Sequence, residues 1–131
     1  MKILVPLILV LFTLSACAAP AVNAPAEYMK ISMDEAIAMM EAEKDYLIVD
    51  VRSYEEFAQG HIPGALNVPN ESIGTEPPLL LPDKEQLIMI YCRSGNRSKQ
   101  ASQKLVDMGY SNIVEFGGIM DWPGDIVSGN E

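Results

Sequence analysis

The sequence predicts one α/β domain with a mostly parallel sheet and helices on both faces. Three observations predict it. Leu47 to Val51 and Leu87 to Tyr91 are short, β-branched and almost continuously apolar, the pattern of strands buried on both sides. Segments with helical spacing and helix-start signals separate the strand-like runs. A chain that alternates strand and helix builds a parallel sheet, because a parallel neighbour is reached through a crossover.

In chain order, Tyr28 to Ile31 is a short first strand. Ser32-Met33-Asp34-Glu35 forms a capping box, and Ala36, Ile37, Met39 and Met40 continue the helix at core-facing spacing. After the strand Leu47 to Val51, Ser53-Tyr54-Glu55-Glu56 offers a second capping box for a brief helix that carries Phe57 inward. Glu55 and Glu56 then read as helix-start charges on a solvated face. Gly60, Pro63 and Gly64 mark a turn before a strand at Ala65 to Val68. Pro69 to Pro82 is irregular, with Pro77-Pro78 breaking any regular element. Leu87 to Tyr91 is the next strand and Ser98 to Met108 the helix behind it, ended by Gly109. Asn112 to Phe116 is the last strand, and a final helical turn starts at Gly118.

The amino terminus reads separately. Lys2 precedes the twelve residues Ile3 to Leu14, an apolar run too short to span a membrane but suited to a signal-peptide core. Leu14-Ser15-Ala16-Cys17 resembles a bacterial lipoprotein processing site, which implies a lipidated Cys17 as first mature residue. Ordinary secretory cleavage near Ala18 or Ala19 is the alternative. The chain therefore divides into a signal peptide, 1–16, a flexible alanine- and proline-rich tether, 17–27, and the domain, 28–131. This places it in the bacterial cell envelope, lipid-anchored on the extracytoplasmic side, periplasmic or on the outer surface. With Cys17 acylated, Cys92 is the one free thiol, and an unpaired thiol outside the cytoplasm points to use.

The formal charge is −9, from 9 Lys and Arg against 18 Asp and Glu. No basic run tracks a nucleic-acid backbone, so nucleic acid is excluded as a partner. An acidic surface also opposes anionic substrates at long range. Arg93, Arg97 and Lys99 overcome it only locally, within a Debye length of about 10 Å.

Those cations surround the chemistry. The run Leu87 to Tyr91 stops on Cys92, and the loop Arg93-Ser94-Gly95-Asn96-Arg97 leads into the helix at Ser98. Strand, loop and helix in that order gather backbone N–H groups and a helix dipole around one sulfur, which favours thiolate. Cys92 is the candidate nucleophile. Arg93 and Arg97 suit an oxyanion, Gly95 lets the loop close, and Ser94, Asn96 and Ser98 supply hydrogen bonds. No cluster has metal-ligand spacing and no glycine fingerprint for phosphate is present, so neither metal nor cofactor is expected.

Cys92-Arg93-Ser94-Gly95-Asn96-Arg97 resembles the active-site loop of rhodanese-type sulfurtransferases. Leu47 to Arg52 with Glu56-Phe57, Gly60-His61-Ile62-Pro63-Gly64-Ala65, and Phe116-Gly117-Gly118-Ile119 with Trp122-Pro123 resemble that family's other signatures in the expected order. The resemblance spans Tyr28 to Trp122 and implies a rhodanese-like three-layer fold. It also implies that Cys92 takes a sulfane sulfur from a donor such as thiosulfate and passes it, as a persulfide, to a thiol or cyanide. Arg93, Ser94, Gly95, Asn96, Arg97 and Ser98 would bind the small sulfur-containing anion. Related cysteine phosphatases carry a loop one residue longer and a histidine where this chain has Tyr91, so phosphate transfer fits poorly. In the family the Gly-His-Ile-Pro-Gly turn is chiefly structural, which makes His61 a structural residue, and Asp50 and Arg52 are architectural. Trp122 is a packing residue. The competing reading is a persulfide carrier or docking module that delivers sulfur to a protein partner without turnover of its own. A thiol-redox role is limited by the lack of a resolving cysteine.

Overall fold

The computed structural model describes residues 26–130. The signal-peptide segment, Cys17 and most of the tether lie outside the described residues. Five strands, β1 (Met29–Lys30), β2 (Tyr46–Asp50), β3 (Leu66–Asn67), β4 (Leu87–Cys92) and β5 (Ile113–Gly118), alternate with three helices, α1 (Met33–Ala42), α2 (Tyr54–Gln59) and α3 (Asn96–Asp107). These strands pair only in parallel, in the order β1-β5-β4-β2-β3, and an isolated antiparallel bridge joins His61 to Val127. The chain leaves β2 towards the β3 edge, then returns to build β4 and β5 on the other side. Connections diverge between β2 and β4, and ligand crevices form beyond the carboxyl ends of strands at such a switch point.

Local chemistry sets the helix starts. Ser32 and Glu35 exchange both capping-box hydrogen bonds, and Ser53 and Glu56 do the same. α3 opens at Asn96, two residues before the sequence-based start, because Gly95 takes a positive φ of 112° that turns the chain straight into the helix. β1 shrinks to the two residues that meet Val114 and Glu115.

Alternation along β4 divides the core between two faces. Ile88, Ile90 and Cys92 join one cluster, Met89 and Tyr91 the other. The first face is covered by Ala101, Leu105 and Val106 of α3, with Ile73 and Leu81 from the irregular segment. The second is covered by Ala36 of α1 and Phe57 of α2, together with Ile62. Each buried aliphatic or aromatic side chain contributes about 1.5–3 kcal/mol. The central strand is thereby clamped from both sides, and its last residue, Cys92, is fixed with it.

The carboxyl end of β2 is tied down as firmly. Asp50 is fully buried and pairs with Arg52, whose Nη2 lies 2.7 Å from Oδ2 and also donates to the Gly60 carbonyl at 2.6 Å. Removing one partner of such a pair costs about 3–5 kcal/mol, because the other charge is left stranded. Tyr91 holds the same corner from β4: its hydroxyl accepts the Ile62 N–H at 3.1 Å. His61, with no exposed surface, stacks on Phe57 at 3.7 Å between centroids, and its Nδ1–H donates to the Phe57 carbonyl at 2.9 Å. His61, Asp50 and Arg52 are architectural here, and Trp122 packs on the second cluster.

Candidate active site

Residues 92–98 place a sulfur atom at the start of a helix. α1 and α2 are each capped by serine and carry two acidic residues in the first turn; α3 has no side-chain cap and no acidic residue there. A helix start left this way presents unpaired N–H groups and the positive end of its dipole. Cys92 Sγ fills the position, accepting the Gly95 N–H at 3.0 Å. The Ser98 hydroxyl lies 3.4 Å away on the other side. Burial pushes the Cys92 thiol up. The Ser98 hydroxyl and the N–H groups of Ser98, Gly95 and Ser94 outweigh it and leave the thiol below its ordinary range.

β5 supplies the floor. Between Ile90 and Cys92 the β4–β5 register slips, so that Ile90 faces Glu115 but Cys92 faces Gly118. Gly117 takes a positive φ of 96° in this bulge, and its N–H turns back to the Glu115 carboxylate at 2.9 Å. Gly118 brings the two backbones together: a Cβ there would overlap the Arg93 carbonyl and the Ser94 nitrogen. The Met120 N–H then closes on the Arg93 carbonyl at 3.3 Å. The Gly-Gly pair thus lets β5 lie directly under the loop.

The two arginines are placed differently. Arg97 forms a bidentate pair with Glu56, Nη1–Oε1 2.6 Å and Nη2–Oε2 2.9 Å, with about a third of each side chain exposed. The Arg97 guanidinium is the main reason the Glu56 carboxyl falls to about 2, and Glu56 in turn raises Arg97. Glu56 is therefore a partner in the site and not merely a charge on a solvated face, because α2 begins beside the loop once the sheet forms. Arg93 is exposed and borders an open groove of about 580 Å³ lined also by Arg52, Glu56, Gln59, Ile119 and Met120.

Of the sequence-predicted residues, Gly95 and Ser98 meet the Cys92 sulfur directly, and Arg97 stands nearby, held by Glu56. The Asn96 side chain is exposed at the first turn of α3. Sequence reasoning missed Glu115, whose Oε1 accepts from Ser98 Oγ at 2.7 Å. Its signal was present: one acid inside the apolar run Ile113-Val114-Glu115-Phe116.

With the geometry in view, the chain can be set beside known proteins. The rhodanese-like domain family matches residues 32–125. Thiosulfate sulfurtransferase PspE of Escherichia coli (strain K12) is 36% identical over 73 residues, covering 56% of this chain and 70% of that protein. Thiosulfate sulfurtransferase GlpE of Pseudomonas entomophila is 31% identical over 109 residues, covering 79% and 96%. Among solved structures, a rhodanese with anions from E. coli aligns with TM-score 0.59 and 33% identity, covering 64% of this chain and 99% of that one. A rhodanese-like domain protein from Staphylococcus aureus aligns with TM-score 0.65 and 32% identity, covering 76% and 97%.

Gly118→Ala tests the floor. The loop must shift off the new methyl group and lose its grip on the sulfur, and a hydrogen bond to a charged group is worth about 1.5–3 kcal/mol. The thiol should titrate higher than in the parent protein, with the far-ultraviolet circular dichroism unchanged. An unshifted titration in a folded variant would contradict the close contact.

Proposed function

The chain belongs to the rhodanese-like family, and from that premise we propose that it is a sulfurtransferase working through Cys92. The observation that carries this reading is the sulfur at the uncapped start of α3, bound by the Gly95 N–H at 3.0 Å. In the first half-reaction the Cys92 thiolate attacks the outer sulfur of a sulfane donor such as thiosulfate. A new S–S bond forms, the old one breaks, and sulfite leaves with the electron pair. The persulfide on Cys92 keeps the negative charge, now one atom further out, where loop N–H groups stabilise it. A thiol or cyanide then attacks that outer sulfur and releases the Cys92 thiolate, completing a double displacement.

The residues around the sulfur divide the work. Arg93, exposed on the groove, meets the donor's oxyanion, and Ser94 and Asn96 complete its hydrogen bonds, while the fully buried Ser98 acts on the sulfur from behind. Arg97 is held by Glu56 and so contributes a fixed positive charge at the mouth of the site. The donor approaches a protein of net charge −9, which makes these local cations the source of its affinity.

We also propose that lipid on Cys17 anchors the domain on the extracytoplasmic side of a bacterial membrane, supported by the apolar run Ile3 to Leu14 followed by Ser15-Ala16-Cys17. Cys17→Ser should release the protein from the membrane fraction or leave its leader uncleaved. Unchanged membrane association with normal processing would contradict the anchor.

The enzymatic reading is tested by thiocyanate formation from thiosulfate and cyanide. Cys92→Ser should abolish it. Arg93→Ala should retain it with a raised KM for thiosulfate, by about ten- to a hundredfold for the loss of a charge-assisted contact of about 1.5–3 kcal/mol. Full activity in Cys92→Ser would overturn the assignment, and sulfur loading without turnover would favour the carrier instead.

A further inference from the structure

Glu115 sits in the sheet with no exposed surface, directly behind the reactive loop. Its Oε1 accepts from Ser98 Oγ at 2.7 Å and from the Gly117 N–H at 2.9 Å. Its Oε2 has no hydrogen-bond partner among the described residues. Ser98 Oγ therefore stands between two groups that can each be an anion, the Glu115 carboxylate and Cys92 Sγ, 3.4 Å away. Ser98 is itself fully buried.

A serine hydroxyl has one proton to give. While Ser98 gives it to Glu115, it offers sulfur only lone pairs, and the sulfur must carry a proton of its own to complete the contact. When Ser98 turns that proton to a thiolate, a fully buried carboxylate keeps only one of its two donors. One hydroxyl cannot serve two anions, and a buried anion left without donors is costly.

We propose that Cys92 and Glu115 share one proton through Ser98, with Glu115 as the internal acceptor of the thiol proton. In one form the Cys92 S–H donates to Ser98 Oγ and the Ser98 O–H donates to the Glu115 carboxylate. In the other, both protons have moved one place. The S–H bond breaks and its electron pair stays on sulfur; that proton joins Ser98 Oγ, and the former Ser98 proton joins Glu115 Oε1. Ser98 now donates to the thiolate, and the Glu115 carboxyl donates to Ser98. The trio holds two protons and one negative charge in both forms. The nucleophile is generated without bringing net charge into the interior or removing it.

The other charged groups around the trio lie outside this exchange. Arg97 at the mouth is engaged by Glu56 and also feels Glu71 and Cys92, and Arg93 borders the groove. Asp50 is paired with Arg52. Lys30, the register partner of Glu115 in β1, is exposed, and no cation among the described residues forms an ion pair with Glu115. Glu115 touches no substrate. It is a positioning residue that acts on the sulfur through Ser98.

The inference rests on Cys92 being the working thiol, but its test reads that thiol directly and needs no sulfur donor. In the full-length chain carrying Cys17→Ser, Cys92 is the one thiol, and its thiolate is followed by ultraviolet absorbance against pH. Two coupled groups titrate as a pair. The thiolate signal should rise to a partial plateau and rise again only when the shared proton leaves at higher pH. Adding Glu115→Gln keeps the size of the side chain and removes the proton acceptor, so the plateau should be lost and one full-amplitude step remain. The same single step in both proteins would overturn the proposal. A second measurement needs no substitution at Glu115: at the pH of the plateau the infrared spectrum should show a carboxylic-acid C=O stretch, which should disappear when the shared proton leaves at higher pH. A stretch that is absent at the plateau, or unchanged through the second rise, would also overturn the proposal. Failure to load sulfur from thiosulfate would count against the sulfurtransferase reading and leave the titration result standing.

Discussion

Cys92 Sγ accepts the Gly95 N–H at the start of α3, and the surrounding structure is arranged to keep it there. β4 brings the sulfur to the carboxyl edge of the sheet and is clamped by side chains on both faces. Gly95 turns the chain at positive φ so that the first N–H groups of α3 point back at the sulfur. The bulge and bare backbone of Gly117 and Gly118 let β5 support the loop from below. The other two helices spend their amino-terminal N–H groups on serine caps, and α3 leaves its own to the sulfur. A buried sulfur has little solvation, and these donors replace it with a preorganised field.

Much of this was legible in the sequence because it is written in local patterns. Ser32 with Glu35 and Ser53 with Glu56 announce their helices through spacing alone, and both capping boxes are present. The run Leu87 to Tyr91 announces a buried strand by its composition, and its end on Cys92 followed by a glycine-containing loop announces a sulfur held at the start of a helix. Parallel pairing follows from the alternation of elements. What could not be read depends on which segments meet. Glu56 looks solvated on its own helix and becomes the bidentate partner of Arg97, 41 positions away, only after β2 and β4 pair. Glu115 is one acid in an apolar run, and nothing local says that Ser98 will lie against it. Tyr91 marks a difference from the related phosphatases, but its hydroxyl's hold on Ile62 appears only in three dimensions.

The charges tell the same story of local against global. A chain of net charge −9 repels anions at a distance, and the cations nearest the sulfur sit at the rim of one loop. There Arg97 is anchored by Glu56 and Arg93 is free at the groove. One arginine is held in place by its partner and the other is exposed at the groove. Because Glu56 opens α2 and the Asp50–Arg52 pair fixes its far end at Gly60, the helix that anchors Arg97 is itself locked to the sheet.

The central claim, that Cys92 is a nucleophile for sulfur, is read most directly from mass. After treatment with thiosulfate and removal of excess reagent, the protein should gain the mass of one sulfur atom. Peptide mapping should place it on the peptide containing Cys92, and a thiol reductant should remove it. A protein that keeps its mass unchanged, or carries the added sulfur elsewhere, would contradict that claim.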